Sequence, residues 1–206
     1  MVTARTYDEI PALENGDRLT MREFERRYEA MPDLKKAELI EGVVFLGSPV
    51  SLNHSKGQGL LSTWLGFYSS LHPQTSMHTD SSVRLDADNQ FQPDVFLWRT
   101  TGGSARVGEK DLLDGAPEVV VEVAASSVSR DLFSKKHVYR RNGVREYIVW
   151  RVRDGEVDWF ELVDGEYAVR EPHRAGLIES VQFPGLKLNI PALLAGDLKA
   201  VLAEVS

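Results

Sequence analysis

Two runs of strand-forming residues carry an acid at opposite ends, and this pairing constrains the fold more than any other feature of the chain. Pro93-Asp94-Val95-Phe96-Leu97-Trp98 reads as a strand beginning at its acid, and Pro117-Glu118-Val119-Val120-Val121-Glu122-Val123-Ala124 as a strand ending near its acid. If the two pair antiparallel, start meets end and Asp94 lies beside Glu122. Like charges that close are unfavourable unless a proton or a cation is shared. A metal is the simplest remedy, and hard carboxylate oxygens suit Mg²⁺ or Mn²⁺.

The segment after the second strand supplies a cation. Ser126 to Ser129 offer several N-caps and Asn142-Gly143 a stop, which predicts a helix over 128–141. Its stripe Val128, Leu132, Lys135 and Tyr139 runs at spacings of four, three and four, so Lys135 interrupts an apolar face. Its ammonium either snorkels out to water or points back to Glu122, where it would neutralise charge beside a metal and hold a water or phosphate oxygen. Lys136, one position round, is expected to face solvent. Two carboxylates, a metal and a lysine together suggest phosphodiester hydrolysis.

Composition narrows the alternatives. At 206 residues and 42% hydrophobic content the chain can bury one full core, and the absence of cysteine excludes disulfides and thiolate metal sites. Met1 to Glu9 lack the apolar core of a signal peptide and no apolar run reaches spanning length, which predicts a cytoplasmic protein with no membrane association. A net charge of -7 argues against indiscriminate coating of nucleic acid. The charge is uneven, however: residues 130–153 hold eight cations against two acids, so this segment either faces phosphate or forms the solvated faces of a helix and the following strand.

Along the chain, Thr20 with Glu23 marks a capping box opening a helix through about Ala30. Ala37 to Leu46 reads as two strands around a Glu41-Gly42 bend, with Glu38 early in the first. Ser51 caps a core-packing helix through Leu71, marked by Leu60, Leu61, Trp64, Leu65, Tyr68 and Leu71. Strands follow at 75–79 and 82–85, then a turn at Asp86 to Asn89; the long polar stretch from Arg99 to Gly115 has the character of a loop able to approach a substrate. A hairpin around Asp154-Gly155, short strands between Leu177 and Ile190, and one helix over 192–204 complete an α/β (α+β) single domain.

These residues fall in an order that resembles the Uma-two family, small bacterial restriction-endonuclease-like proteins of the PD-(D/E)XK nuclease superfamily. The likeness is carried by Glu38-Leu39-Ile40-Glu41-Gly42, Ser48-Pro49 with His54, Gln92-Pro93-Asp94, Val121 to Ser126, Asp131 with Lys135 and Tyr139, Gly143 to Tyr147 and Phe183-Pro184-Gly185-Leu186. It spans about residues 18–196, which leaves 1–17 as an N-terminal extension to a domain over 18–206. The resemblance implies a mixed sheet flanked by helices and a Mg²⁺- or Mn²⁺-dependent site that cuts DNA, RNA being an open alternative. It implies Asp94, Glu122 and Lys135 as catalytic residues, and Glu38, Asp94, Glu122 and the carbonyl of Val123 as metal ligands. The lysine expected two residues beyond the second acid is Ala124 here, and the following helix supplies Lys135 in its place; Asp131 would orient it or pair with it.

His54 is a candidate proton carrier or phosphate contact, or a surface residue; Gln92 contacts substrate or ends a turn. The other histidines lack ligand spacing, Ser126-Ser127 is explained by capping, and no nucleotide-binding glycine loop is present. A homodimer is expected for a nuclease that cuts two strands. The competing reading is a nucleic-acid-binding or protein-interaction module that keeps the fold without the chemistry. A glycosidase using the same acids would need a sugar-stacking cleft, for which Trp98 and Trp159 are too little.

Overall fold

The computed structural model describes residues 10–125 and 127–206; the readings made for Met1 to Glu9 and for Ser126 lie outside them. Helix α1 (Met21–Glu29) opens at Thr20, whose hydroxyl accepts the Glu23 amide, while the Glu23 carboxylate turns to Arg26 and Arg27, so half of the capping box forms. Strands β1 (Ala37–Ile40) and β2 (Val43–Leu46) make the expected hairpin, with Glu41 at φ 51° and Gly42 at φ 73° supplying the two left-handed residues of its turn. Helix α2 (Leu52–Leu71) is capped by the Ser51 hydroxyl. Strands β3 (Thr75–His78) and β4 (Val83–Asp86) follow, and β5 (Asn89–Phe91), unforeseen in the sequence, folds back on β4 and β1 before β6 (Val95–Arg99).

The polar stretch after β6 is not a free loop. It forms β7 (Arg106–Val107), a 3₁₀ turn (Glu109–Asp111) and β8 (Leu113–Asp114), and β8 runs parallel to β4. The Glu122 strand is β9 (Val119–Ala124). The helix expected as one α-helical rod over 128–141 starts α-helical at 128–129, is wound as a π-helix over Arg130–Lys135 and returns to α-helical winding at α3 (Lys136–Arg141). Strands β10 (Glu146–Arg151), β11 (Glu156–Val163), β12 (Glu166–Val169), β13 (Leu177–Glu179) and β14 (Lys187–Asn189) lead to α4 (Ile190–Ala195) and α5 (Leu198–Leu202). The single closing helix of the sequence reading is broken because Gly196 takes φ 75° and Asp197 caps a new start.

The mixed sheet is realised as two six-stranded sheets, ordered β2-β1-β5-β4-β8-β7 and β12-β11-β10-β9-β6-β3, with β13-β14 apart. In the second sheet β9 and β10 are parallel and all other pairs antiparallel, so the connection through the π-helix and α3 is a crossover. The molecule is a mixed α+β single domain.

Strand alternation sorts the core into two sides. Val95, Leu97, Val119, Val121, Val123, Ile148 and Trp150 face α2, α4 and α5, packing on Leu61, Trp64 and Leu65, whereas Phe96, Val120, Ala124, Tyr147 and Val149 face the first sheet and α3. Leu71, at the end of the α2 stripe, is half exposed. The contact behind the site is close: a Cβ on Gly57 would come within 3.0 Å of Val123 and 3.2 Å of Trp150, so any larger residue here would require those side chains to give way. A third cluster joins α1 to β1 and β2 and includes Leu13, so residues within 10–17 pack against the domain. Among the described residues no helix is long and apolar enough to cross a membrane.

Candidate active site

Register brings the two acids together as the strand pattern requires. β6 pairs β9 with Val95 opposite Val121, so the next step outward sets Asp94 opposite Glu122 on the face turned to the first sheet. Past the end of β6, the Val123 amide of β9 finds no carbonyl partner there and donates instead to Asp94 Oδ2 at 2.8 Å. Glu38 arrives from β1, where its Oε1 accepts the Gln92 amide at 3.1 Å. The π-helix adds Asp131 and Lys135.

Lys135 Nζ joins these elements. It lies 2.9 Å from Glu38, 3.0 Å from Glu122 and 3.9 Å from Asp131, all four side chains being at least 95% buried. The Tyr139 hydroxyl donates to Glu122 at 2.9 Å, and the Ser127 hydroxyl donates to Asp131. Lys135 thus points inward, the second of the two orientations its position allowed. Burial by itself lowers its pKa, but Glu122, Glu38, Asp131 and Asp94 outweigh burial and hold it above the ordinary lysine value.

Asp94 is held on both oxygens. Lys36 Nζ approaches Oδ1 at 3.1 Å, and His54 Nε2 lies 3.2 Å from Oδ2. Burial would raise the Asp94 pKa, but the His54 hydrogen bond and the charges of Lys36 and Lys135 depress it below the usual carboxylate range. An ionised carboxylate only accepts, so His54 carries its proton on Nε2, leaving its buried Nδ1 with no partner among the described residues. Glu122 behaves in the opposite way. Burial, together with the charges of Asp94, Asp131 and Glu38, pushes it up to about 8 against the pull of Lys135. Asp131 is also raised, by burial first, despite Lys135.

These groups form the floor of a cleft of about 830 Å³. Lys35, Arg130 and Arg153 line it as well; Arg130 also lies over the Phe45 ring at 4.9 Å. The rest of the basic segment does not converge there. Arg140, Arg141 and Arg151 pair with nearby acids, and Lys136, expected in solvent, sits 3.5 Å over the Phe160 ring, where burial lowers its pKa. Two accessory candidates are not at the surface of the cleft: Gln92 directs its side chain to Tyr28 and Ser82, and Tyr139 is fully buried. No residue of the 99–115 stretch lines it either.

Lys36, Gln58 and Asp80 are cleft residues that the sequence reading passed over. Lys36 precedes Glu38 by two positions, the spacing that puts two strand residues on one face, and that was the available signal. Gln58 follows His54 by one helical turn and donates to Asp80 at 2.7 Å and to the Asp94 carbonyl at 3.0 Å.

Among the described residues no three His, Asp or Glu side chains are arranged to hold a metal ion as they stand. The donor chemistry nevertheless fits a hard divalent cation. Four buried carboxylates, Glu38, Asp94, Glu122 and Asp131, face two ammonium groups, Lys36 and Lys135, so full ionisation of the four would leave two negative charges uncompensated where burial makes them costly. The raised Glu122 is the local expression of that excess.

A family model described as "Putative restriction endonuclease", Uma2, matches residues 21–191. No curated protein matches the chain. Among solved structures, "a putative nuclease belonging to DUF820 from Anabaena variabilis ATCC 29413" is similar at a TM-score of 0.66 and 14% identity, covering 83% of this chain and 97% of that one; at this identity the likeness speaks for the fold. With the family model spanning most of the domain, this chain belongs to the Uma2 family.

Proposed function

We propose that the protein is a divalent-metal-dependent endonuclease that hydrolyses phosphodiester bonds of DNA in the cytoplasm. The observation that carries this reading is the convergence of Asp94, Glu122, Glu38 and Lys135, buried and with uncompensated negative charge, at the floor of a cleft with cations on its walls. Glu38, Asp94 and Glu122 would hold the ion, joined by the Val123 carbonyl, which leaves its strand on the same side as the amide already bonded to Asp94. When bound, Mg²⁺ or Mn²⁺ supplies Lewis-acid polarisation of the phosphate and an acidified water.

The chain's own residues do the rest. His54 and the Val123 amide fix the Asp94 carboxylate, and Tyr139 fixes Glu122. Lys135, kept charged, places its ammonium beside Glu122, where it stabilises the negative charge that grows on the transferring phosphate. Lys35, Arg130 and Arg153 contact flanking phosphates and set register rather than sequence. A homodimer would present two such sites to two strands.

The test is cleavage of a random-sequence DNA library, with ends read by sequencing. New ends with Mg²⁺ or Mn²⁺ that vanish with a chelator and in Asp94→Ala are the expected result. Ends that persist in Asp94→Ala would remove the assignment. The specific observation favouring the non-cutting alternative is that Lys135 bonds both Glu38 and Glu122; metal-independent DNA binding that survives Asp94→Ala would support it.

A further inference from the structure

Lys36 is a cation at the very carboxylate that the metal needs, and resting on the metal-dependent reading above, its surroundings define what becomes of it. Its Nζ lies 3.1 Å from Asp94 Oδ1 and only 3.8 Å from Asp80 Oδ1. Asp94 is nearly inaccessible, with 5% of its side chain exposed, whereas Asp80 is 56% exposed. Gln58 ties the two sites together by donating to the Asp80 carboxylate and to the Asp94 carbonyl. The lysine stem is guided to this place by Gly47, whose amide bonds the Lys36 carbonyl at 2.9 Å and where a Cβ would stand 2.9 Å from the Lys36 Cβ.

We propose that Lys36 is a transferable counter-ion: it neutralises Asp94 in the metal-free protein, gives up Oδ1 when a divalent cation enters, and moves its ammonium to Asp80. The physical reason is that removing a buried carboxylate's partner strongly destabilises the fold, so the metal-free site requires a resident charge. The same charge repels an incoming dication unless it has somewhere to go. Asp80 provides that place at the cost of a short movement of a flexible side chain, and Lys36 is therefore a positioning residue that sets metal affinity. The metal-free and loaded proteins differ in which acid the ammonium holds.

Calorimetric titration of Mn²⁺ into the full chain tests this through signs that a merely structural role does not produce. Lys36→Met is expected to bind Mn²⁺ at least about tenfold more tightly than wild type, with Lys36→Arg close to wild type. The metal-free Lys36→Met protein should melt at a lower temperature, and Mn²⁺ should close the gap. Asp80→Asn should weaken Mn²⁺ binding in the wild-type background and have no effect in the Lys36→Met background, because the acceptor matters only while the ammonium is there. Gly47→Ala, which displaces the stem, should follow Lys36→Met. Equal or weaker Mn²⁺ binding by Lys36→Met overturns the transfer, as does an Asp80→Asn effect that persists without Lys36. Either result leaves the nuclease reading standing, provided Asp94→Ala still abolishes binding; absence of Mn²⁺ binding in wild type and Lys36→Met alike overturns both.

Discussion

Glu122 and Glu146 stand on adjacent parallel strands, both fully buried, both with pKa values raised chiefly by burial, and they serve opposite ends of the molecule. Glu146 opens β10 opposite Val119, and its carboxylate accepts the Ser180 hydroxyl and, at 2.7 Å, the Val181 amide, which staples the segment after β13 to the sheet. Glu122, near the other end of the pair, shares a cleft floor with three further carboxylates. Burial is common to the two. What separates them is accumulated like charge with access from a cleft, the combination that marks a functional site rather than a structural clasp.

The largest effect expected from breaking this contrast is on Lys135. Lys135→Met removes the partner of three buried acids and should cost about 3–5 kcal/mol in urea unfolding of the metal-free protein, with Mn²⁺ recovering part of it. If Lys135→Met were as stable as wild type, the charge excess at the site would be absent. Glu146→Gln should cost about 1–3 kcal/mol and leave Mn²⁺ affinity unchanged, because its hydrogen bonds close a fold rather than a site.

A pH series sharpens the comparison. Glu122 is raised from an ordinary 4.5 to about 8, so between these values the folded protein keeps a proton that the unfolded chain has released. Raising the pH through that window therefore lowers metal-free stability through this group, and Mn²⁺, which takes the proton's place, should bind more tightly as pH rises and level off above about 8. Glu122→Gln should remove that slope; a pH-independent affinity in wild type would contradict it. The smallest effect belongs to Tyr139→Phe, which deletes one hydrogen bond to Glu122 and should cost about 1 kcal/mol, measured by thermal melting.

The core of the site was legible because it rests on short-range rules. Strand alternation and the placement of an acid at each strand end fixed the Asp94–Glu122 register, and helical spacing put Lys135 and Tyr139 on the inner face. Other features depended on information that period and propensity do not carry. The π-helical winding over Arg130–Lys135 changes how Asp131 and Lys135 are presented, yet no residue there announces it. The division into two sheets follows from β5, a three-residue strand between the Asp86 to Asn89 turn and the Pro93 strand, and from β8, which joins β4 out of apparent loop. The basic run from Arg130 to Arg153 divides between its two readings: Arg130, Lys135 and Arg153 line the cleft, while a helix and a strand send the other cations elsewhere and nearby acids take several of them.

The most direct measurement is titration of Mn²⁺ into the wild-type protein and into Asp94→Ala by calorimetry, since it needs no knowledge of the DNA target. Saturable binding by wild type that is lost in Asp94→Ala is the predicted result and makes the acid cluster a metal centre. Equal binding by both proteins, or none by either, would contradict the claim that these buried carboxylates are gathered to hold a divalent ion.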